Sequence, residues 1–201
     1  MKSRYNSQIH HRCSIRLKEY DYSQDGYYYI TICTKNMECL FGDVIDGKMK
    51  LSEIGEIVCK CWNEIPKHFD NVSLDEMVIM PNHFHGIIII ENDNVIGNVG
   101  ACHGMPLQRF AKPKSKSLSM IINHFKSAIK RWCNKNGFEY FQWQRNYYEH
   151  VIRNEIELNK IREYITNNPL QWKLDKNNLR NQNSATIPKH AIKTSQKKKC
   201  K

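Results

Sequence analysis

The sequence predicts an α+β fold, an antiparallel sheet with helices packed mainly on one face. Three observations carry that expectation. Runs of β-branched and aromatic residues come early, and several follow one another with only short connections. Helical periodicity is confined to three separated stretches, beginning near Ser52, Ser117 and Asn154. A doubly wound parallel sheet requires a more regular alternation of strand and helix than this chain contains.

Taken in order, residues 27–34 (Tyr-Tyr-Tyr-Ile-Thr-Ile-Cys-Thr) read as a strand. Residues 44–51 read as a hairpin turning at Asp46-Gly47. From Ser52 onward Ile54, Ile57, Val58, Cys61 and Ile65 recur at helical spacing, and Pro66 is the expected stop. Residues 74–80 form a second strand, Pro81-Asn82 a break, and residues 83–91 a third strand ending in four isoleucines. Residues 92–116 hold three glycines, two prolines and four cations, and read as a mobile basic loop. In residues 117–132, Leu118, Ile121, Ile122, Phe125, Ile129 and Trp132 make the apolar stripe of an amphipathic helix. Asn154, with Glu157 three residues on, is a good N-cap for the last helix, which Pro169 is expected to end.

With 201 residues, 40% of them apolar and 25% charged, the chain can bury one core. The expected division is a flexible arm at 1–11, one domain at 12–178 and a basic disordered tail at 179–201. No stretch is long and apolar enough to span a membrane, and the N-terminus has no apolar segment of a secretory signal, so a cytoplasmic location is expected. Eight cysteines without a C-x-x-C pair read as reduced thiols rather than a zinc site. Seven cations between Arg180 and Lys201, with no acid among them, leave only +4 of the net +11 for the rest of the chain. That asymmetry suits a polyanionic partner and equally suits a solvated tail.

Two short segments bear on chemistry. In Met80-Pro81-Asn82-His83-Phe84-His85-Gly86 the two histidines share a face of a strand, their backbones about 7 Å apart, and can converge on one divalent ion. A bare H-x-H is also the pattern of two partly exposed histidines. In the last helix Leu158, Ile161 and Ile165 face the core, while Tyr164 and Asn168 share a neighbouring face. A phenol and a carboxamide so placed can serve as nucleophile and metal ligand, or as an edge tyrosine and a helix-ending asparagine.

Joined by Trp143-Gln144-Arg145-Asn146-Tyr147-Tyr148-Glu149-His150-Val151-Ile152-Arg153-Asn154 and by Tyr164-Ile165-Thr166-Asn167-Asn168-Pro169, these segments closely resemble the single-tyrosine HUH transposases. Within that superfamily of insertion-sequence type enzymes the chain is most similar to the REP-associated tyrosine transposase branch, over residues 12–175. The resemblance implies a ferredoxin-like sheet bearing the H-x-H pair, with the tyrosine on a C-terminal helix. It implies His83, His85 and Asn168 as ligands of a divalent metal (Mg or Mn) and Tyr164 as the catalytic residue. Asn168 stands where the insertion-sequence branch usually has glutamine.

The activity so implied is that of a metal-dependent single-strand DNA endonuclease and strand-transferase, acting through a 5′-phosphotyrosine on hairpin-associated DNA. The alternatives are a non-catalytic nucleic-acid-binding module and a metallonuclease that uses water. Lys126, Lys130 and Arg131 on the long helix are candidate phosphate contacts or a solvated face; Arg145 and Arg153 are candidate DNA contacts or braces for the last helix. Trp143, Tyr147 and Tyr148 are candidate stacking partners for unpaired bases. His10, His11, His68 and His124 read as surface histidines. The expected partner is single-stranded or hairpin DNA near the nucleoid. Target sequence, metal identity, self-mobilising or domesticated role, and monomer or homodimer with cis or trans catalysis are left open.

Overall fold

The computed structural model describes residues 20–92, 116–175 and 177–178; the expected N-terminal arm, nearly all of the loop at 92–116 and the tail at 179–201 lie outside them. Strand β1 (Gly26–Cys33) is central. It pairs antiparallel with β5 (His83–Ile90) on one side and with β6 (Tyr148–Ile152) on the other. Strand β4 (Val72–Ile79) lies outside β5, giving the order β4-β5-β1-β6 with every neighbouring pair antiparallel. Helix α1 (Glu53–Asn63) precedes β4, and α3 (Leu118–Lys135) connects β5 to β6. The result is the ferredoxin-like βαββαβ arrangement, followed by a last helix, α4 (Glu155–Gln171).

The small hairpin of β2 (Gly42–Ile45) and β3 (Lys48–Leu51) turns where the sequence placed it. Asp46 and Gly47 both hold positive φ, 49° and 72°, as a two-residue hairpin turn demands. Ser52 caps α1 by accepting the Gly55 N–H at 3.1 Å.

Three expectations change. Helix α1 ends at Asn63, and Pro66 sits in the first turn of a separate short helix, α2 (Ile65–His68), where its missing N–H costs nothing. Pro169 does not end α4: it falls in the last turn, with only two helical residues beyond it, and the helix runs on to Gln171. Strand β6 was not read as a strand at all. It is a five-residue edge carrying Glu149 and His150, too short and polar to show an apolar alternation.

Alternation along the strands divides the core in two. Tyr28, Ile30, Ile32, Phe84, Ile88 and Ile90 face α1 and α3, where Ile54, Val58, Trp62, Ile121, Phe125 and Ile129 cover them. Gly86 is needed on this face: a Cβ there would stand 2.6 Å from the Trp62 indole, which lies against β5 with its ring 4.6 Å from Phe84. Leu158 and Ile165 of α4 pack on the opposite face, against Ile87, Ile152 and the half-buried Tyr27, Tyr29 and Val78. So α1 and α3 share one face as expected, and α4 alone crosses the other.

Helix α4 is pinned at two places. At its start Asn154 accepts the Glu157 N–H at 2.9 Å, while Glu157 accepts the Arg153 N–H at 2.9 Å and reaches His150 of β6 at 2.8 Å. At its middle Arg162 Nε donates to both oxygens of Asp75 at 3.1 Å. Asp75 is available because β4 bulges between Leu74 and Met77, opposite Ile87, which turns the extra residue toward the helix.

Candidate active site beneath the last helix

β5 opens on His83, and the two histidines of H-x-H lie on the face that α4 covers, both buried, their rings 4.6 Å apart. The protonation of His83 follows from its neighbour. The Asn82 amide nitrogen donates to Met37 O at 3.0 Å and to Asn177 O at 2.8 Å, so its Oδ1 turns to His83 Nδ1, 2.8 Å away. An acceptor at that place puts the ring proton on Nδ1 and the lone pair on Nε2. His85 is held by the same nitrogen: Nδ1 lies 2.8 Å from Tyr29 Oη and 2.8 Å from Thr31 Oγ1 on β1. In both rings the support engages Nδ1, and Nε2 is the nitrogen turned away from it.

α4 brings the other half. Tyr164, 41% exposed, sets its ring 5.4 Å from that of His85. One turn on, Asn168 is buried, and its Oδ1 has no hydrogen-bond partner among the described residues. A buried acceptor without a donor is costly unless something else satisfies it. Burial pushes the Tyr164 phenol above its ordinary pKa; a hydrogen bond from the Asn168 side chain draws it down, and the charge of Asp175 pushes it up again. A phenol so placed is protonated at neutral pH, and its ionisation calls for positive charge nearby. No three of His, Cys, Asp and Glu are gathered into a metal cluster among the described residues; the Asn168 amide oxygen is a further oxygen donor on the same side as the two histidines.

A Haemophilus influenzae protein described as uncharacterized is 48% identical to this chain over 181 residues, 87% of this chain and 97% of its own length. The two proteins belong to one family. No family profile matches the chain. The solved structure of a REP-associated tyrosine transposase bound to a REP hairpin aligns with a TM-score of 0.53 at 16% identity, covering 81% of this chain and 77% of that one. The two share a fold, and the likeness suggested by the motifs is met at that level.

The cations expected to meet DNA fall apart into two groups. Lys126 donates to Gln144 O at 2.7 Å and Lys130 to Phe141 O at 2.6 Å, so both tie the segment before β6 to α3. Burial lowers the Lys126 pKa to about 8. Arg131, Arg145 and Arg153 are exposed. Arg145 borders a cleft of about 520 Å³ with Lys35, Asn36, Gln142 and Gln144 beside the end of β1; Arg153 borders another, with Tyr27 and Arg162. Trp143 donates its indole N–H to Lys126 O at 3.1 Å, a packing role, while Tyr148 is exposed beside Tyr29.

Sequence reading missed Asn82, Tyr29 and Thr31 as supports of the histidines, and it missed Asp175. The turn after α4 carries Asp175 Oδ2 to 3.8 Å from His83 Nε2, with its side chain 6% exposed. For Asn82 the signal was present, directly before the H-x-H. For Asp175 there was none, because only the fold-back of residues 172–175 after α4 brings it there. No helix among the described residues is long and apolar enough to cross a membrane.

Proposed function

We propose that the protein is a metal-dependent single-strand DNA endonuclease and strand-transferase that works through a tyrosine–DNA intermediate. The observation that carries the reading is the meeting of two separate elements: the H-x-H of β5 and, across from it, Tyr164 with the buried, unsatisfied Oδ1 of Asn168. Two imidazoles and an amide oxygen suit Mg or Mn at a phosphate better than a structural zinc. Bound by His83, His85 and Asn168, such an ion supplies neutralisation of the scissile phosphate and of charge developing on it.

The chain's own groups account for the rest. Asn82 holds His83, and Tyr29 with Thr31 holds His85, in the orientation a ligand needs. Tyr164 loses its phenolic proton and attacks phosphorus; the bond to the departing 3′-oxygen breaks, and that oxygen takes up a proton. The strand is left with a 5′-phosphotyrosine and a free 3′-hydroxyl. Since one phosphate ester replaces another, a second 3′-hydroxyl can reverse the step and join strands.

The substrate class is hairpin-associated single-stranded DNA, for which the shared fold of a REP-hairpin-bound transposase is the support. A DNA substrate places the reaction in the cytoplasm, at the nucleoid. Exposed Arg145 and Arg153 are the better phosphate contacts, and Lys126, Lys130 and Arg131 on α3 are secondary ones. The domain is residues 12–178, with the arm, the loop at 92–116 and the tail as appendages.

The deciding experiment mixes labelled hairpin-bearing single strands with the protein, with Mg or Mn and with chelator. A denaturation-resistant adduct that needs both the metal and Tyr164 is expected. Cleavage at full rate by Tyr164→Phe would replace this mechanism with hydrolysis by water.

A further inference from the structure

Cys33 ends β1 opposite His83, and just past it a cleft of about 520 Å³ opens at the same end of the sheet. One wall is the short 3-10 turn Lys35–Met37; the other is the stretch 142–145 that leads to β6. The volume falls in the range of about 300–1,000 Å³ usual for small-ligand sites. A Thr34–Trp143 bridge lays the second wall against the end of β1, with the Gln144 N–H donating to Cys33 O at 2.9 Å and the Lys35 N–H to Gln142 O at 2.8 Å. None of the lining residues is acidic. Lys35 and Arg145 are cations, and Asn36, Gln142 and Gln144 carry carboxamides.

Both walls are held in place. Asn36 and Met37 adopt left-handed backbone, with φ of 56° and 57°, a conformation that a methionine keeps only where its surroundings impose it. Here Met37 O accepts from Asn82 Nδ2 at 3.0 Å, and Thr34 Oγ1 donates to Glu38 O at 2.7 Å. Asn82 also orients His83, so the turn and the histidine share one support. On the other wall the Trp143 ring is set 5.5 Å from Phe41 and 5.0 Å from Phe141, and Lys126 donates to Gln144 O at 2.7 Å. Lys35 Nζ donates to Gln142 Oε1 at 2.8 Å, and the Gln142 amide nitrogen carries two N–H donors. Carboxamides offer donor and acceptor without net charge, the pattern that pairs with the edge of a nucleobase, whereas a phosphate calls for cations. An aromatic surface beside them suits the face of an unpaired base.

We propose that this cleft is a subsite for one unpaired nucleotide of the DNA strand. Gln142 and Gln144 read the edge of its base, Trp143 backs the ring, and Lys35 and Arg145 hold the flanking phosphate. This rests on the DNA reading given above and adds to it a base preference away from the cleaved phosphate. The competing state is a solvated basic groove that attracts any polyanion and has no use for the amides.

The test uses the full chain in chelator, so that cleavage does not intervene, and a pool of hairpin-bearing DNA strands with about eight randomised unpaired nucleotides on each side of the stem. Bound strands are sequenced for wild type, for Gln142→Ala with Gln144→Ala, for Gln144→Glu and for Arg145→Ala, and melting shows which variants are folded. Wild type is expected to prefer one base at one position by about tenfold, a preference that the double variant loses while still binding the pool. The nearly isosteric Gln144→Glu, which can accept but not donate, shifts the preferred base and decides the matter should the double variant unfold. Arg145→Ala keeps the preference and binds all strands more weakly, its salt slope lower by about one. Binding by wild type without any base preference, or a preference unchanged in the amide variants, would overturn the subsite. Adduct formation on the same strands once metal is added shows separately whether the DNA reading stands. If wild type bound no strand at all, that reading would fall and the subsite with it.

Discussion

The two faces of one sheet are built for different ends. On the side of α1 and α3, Tyr28, Ile30, Ile32, Phe84, Ile88 and Ile90 are large apolar groups, and Trp62, Phe84 and Phe125 interlock over Gly86. On the side of α4 the apolar contact shrinks to a patch around Ile87, Ile152, Leu158 and Ile165. Beside that patch are buried His83, His85 and Asn168. Such groups bring no hydrophobic gain, and Asn168 Oδ1 carries an unmet desolvation cost. One face stabilises the fold; the other carries buried polar groups at a cost in stability, as the proposed chemistry would require.

The comparison breaks most sharply at Tyr164, the proposed nucleophile. Tyr164→Phe removes one exposed-edge hydroxyl, so cleavage and adduct are expected to fall by a thousandfold or more, about 4 kcal/mol in barrier, while the melting temperature barely moves. Phe125→Ala is the counterpart across the sheet. It is expected to cost about 3–5 kcal/mol of unfolding free energy in denaturant titration, with cleavage per folded molecule retained. Equal damage to cleavage in both variants would show that the faces are not separable.

A subtler variant sharpens the contrast. Asn168→Leu replaces a buried amide whose Oδ1 is unmatched by an apolar group of similar size, and is expected to change stability by about 1 kcal/mol or less, the lost hydrogen bond to Tyr164 offsetting the relieved desolvation, while abolishing cleavage. A larger fall in stability would mean that the Asn168 amide is satisfied in a way its surroundings do not reveal.

The smallest effect concerns Asp75 and Arg162. The guanidinium holds the Asp75 carboxyl below the ordinary carboxylate range. Because the folded pKa is the lower one, the pair's contribution is fully present above the unfolded value near 4 and disappears as pH falls through the folded value. Arg162→Met is therefore expected to be less stable than wild type by about 1 kcal/mol or less at pH 7. The two should converge in acid below pH 4, read by urea unfolding across pH. A gap that persisted at low pH would assign the loss to packing.

How much of this was readable beforehand follows the same division. The α1–α3 face announces itself, since alternation in residues 27–34 and 83–91 and helical spacing from Ile54 to Trp132 are direct consequences of apolar burial. The α4 face was legible only where its polar residues are close in sequence, as in H-x-H and in Tyr164 with Asn168, which the fold brings together. Asp175 and Thr31 reach the histidines across long sequence separations, and no periodicity marks such meetings. Likewise the charge of Lys126 and Lys130 was visible but not the carbonyls that claim it. Pro169 was read by the usual rule that proline ends a helix, which gives way when the residue falls in the last turn.

The double pinning of α4, by the Asn154–Glu157 cap beside β6 and by Arg162 on the β4 bulge, has a consequence for stoichiometry. In the described chain the helix lies over the histidines of the same polypeptide, so both halves of the arrangement are present in one chain. It also contains Tyr164 only once. On the reaction proposed above, such a molecule holds one strand end at a time, and the partner end of any joining arrives as a free 3′-hydroxyl. Exchange between two ends then becomes a sequence of turns rather than a simultaneous swap.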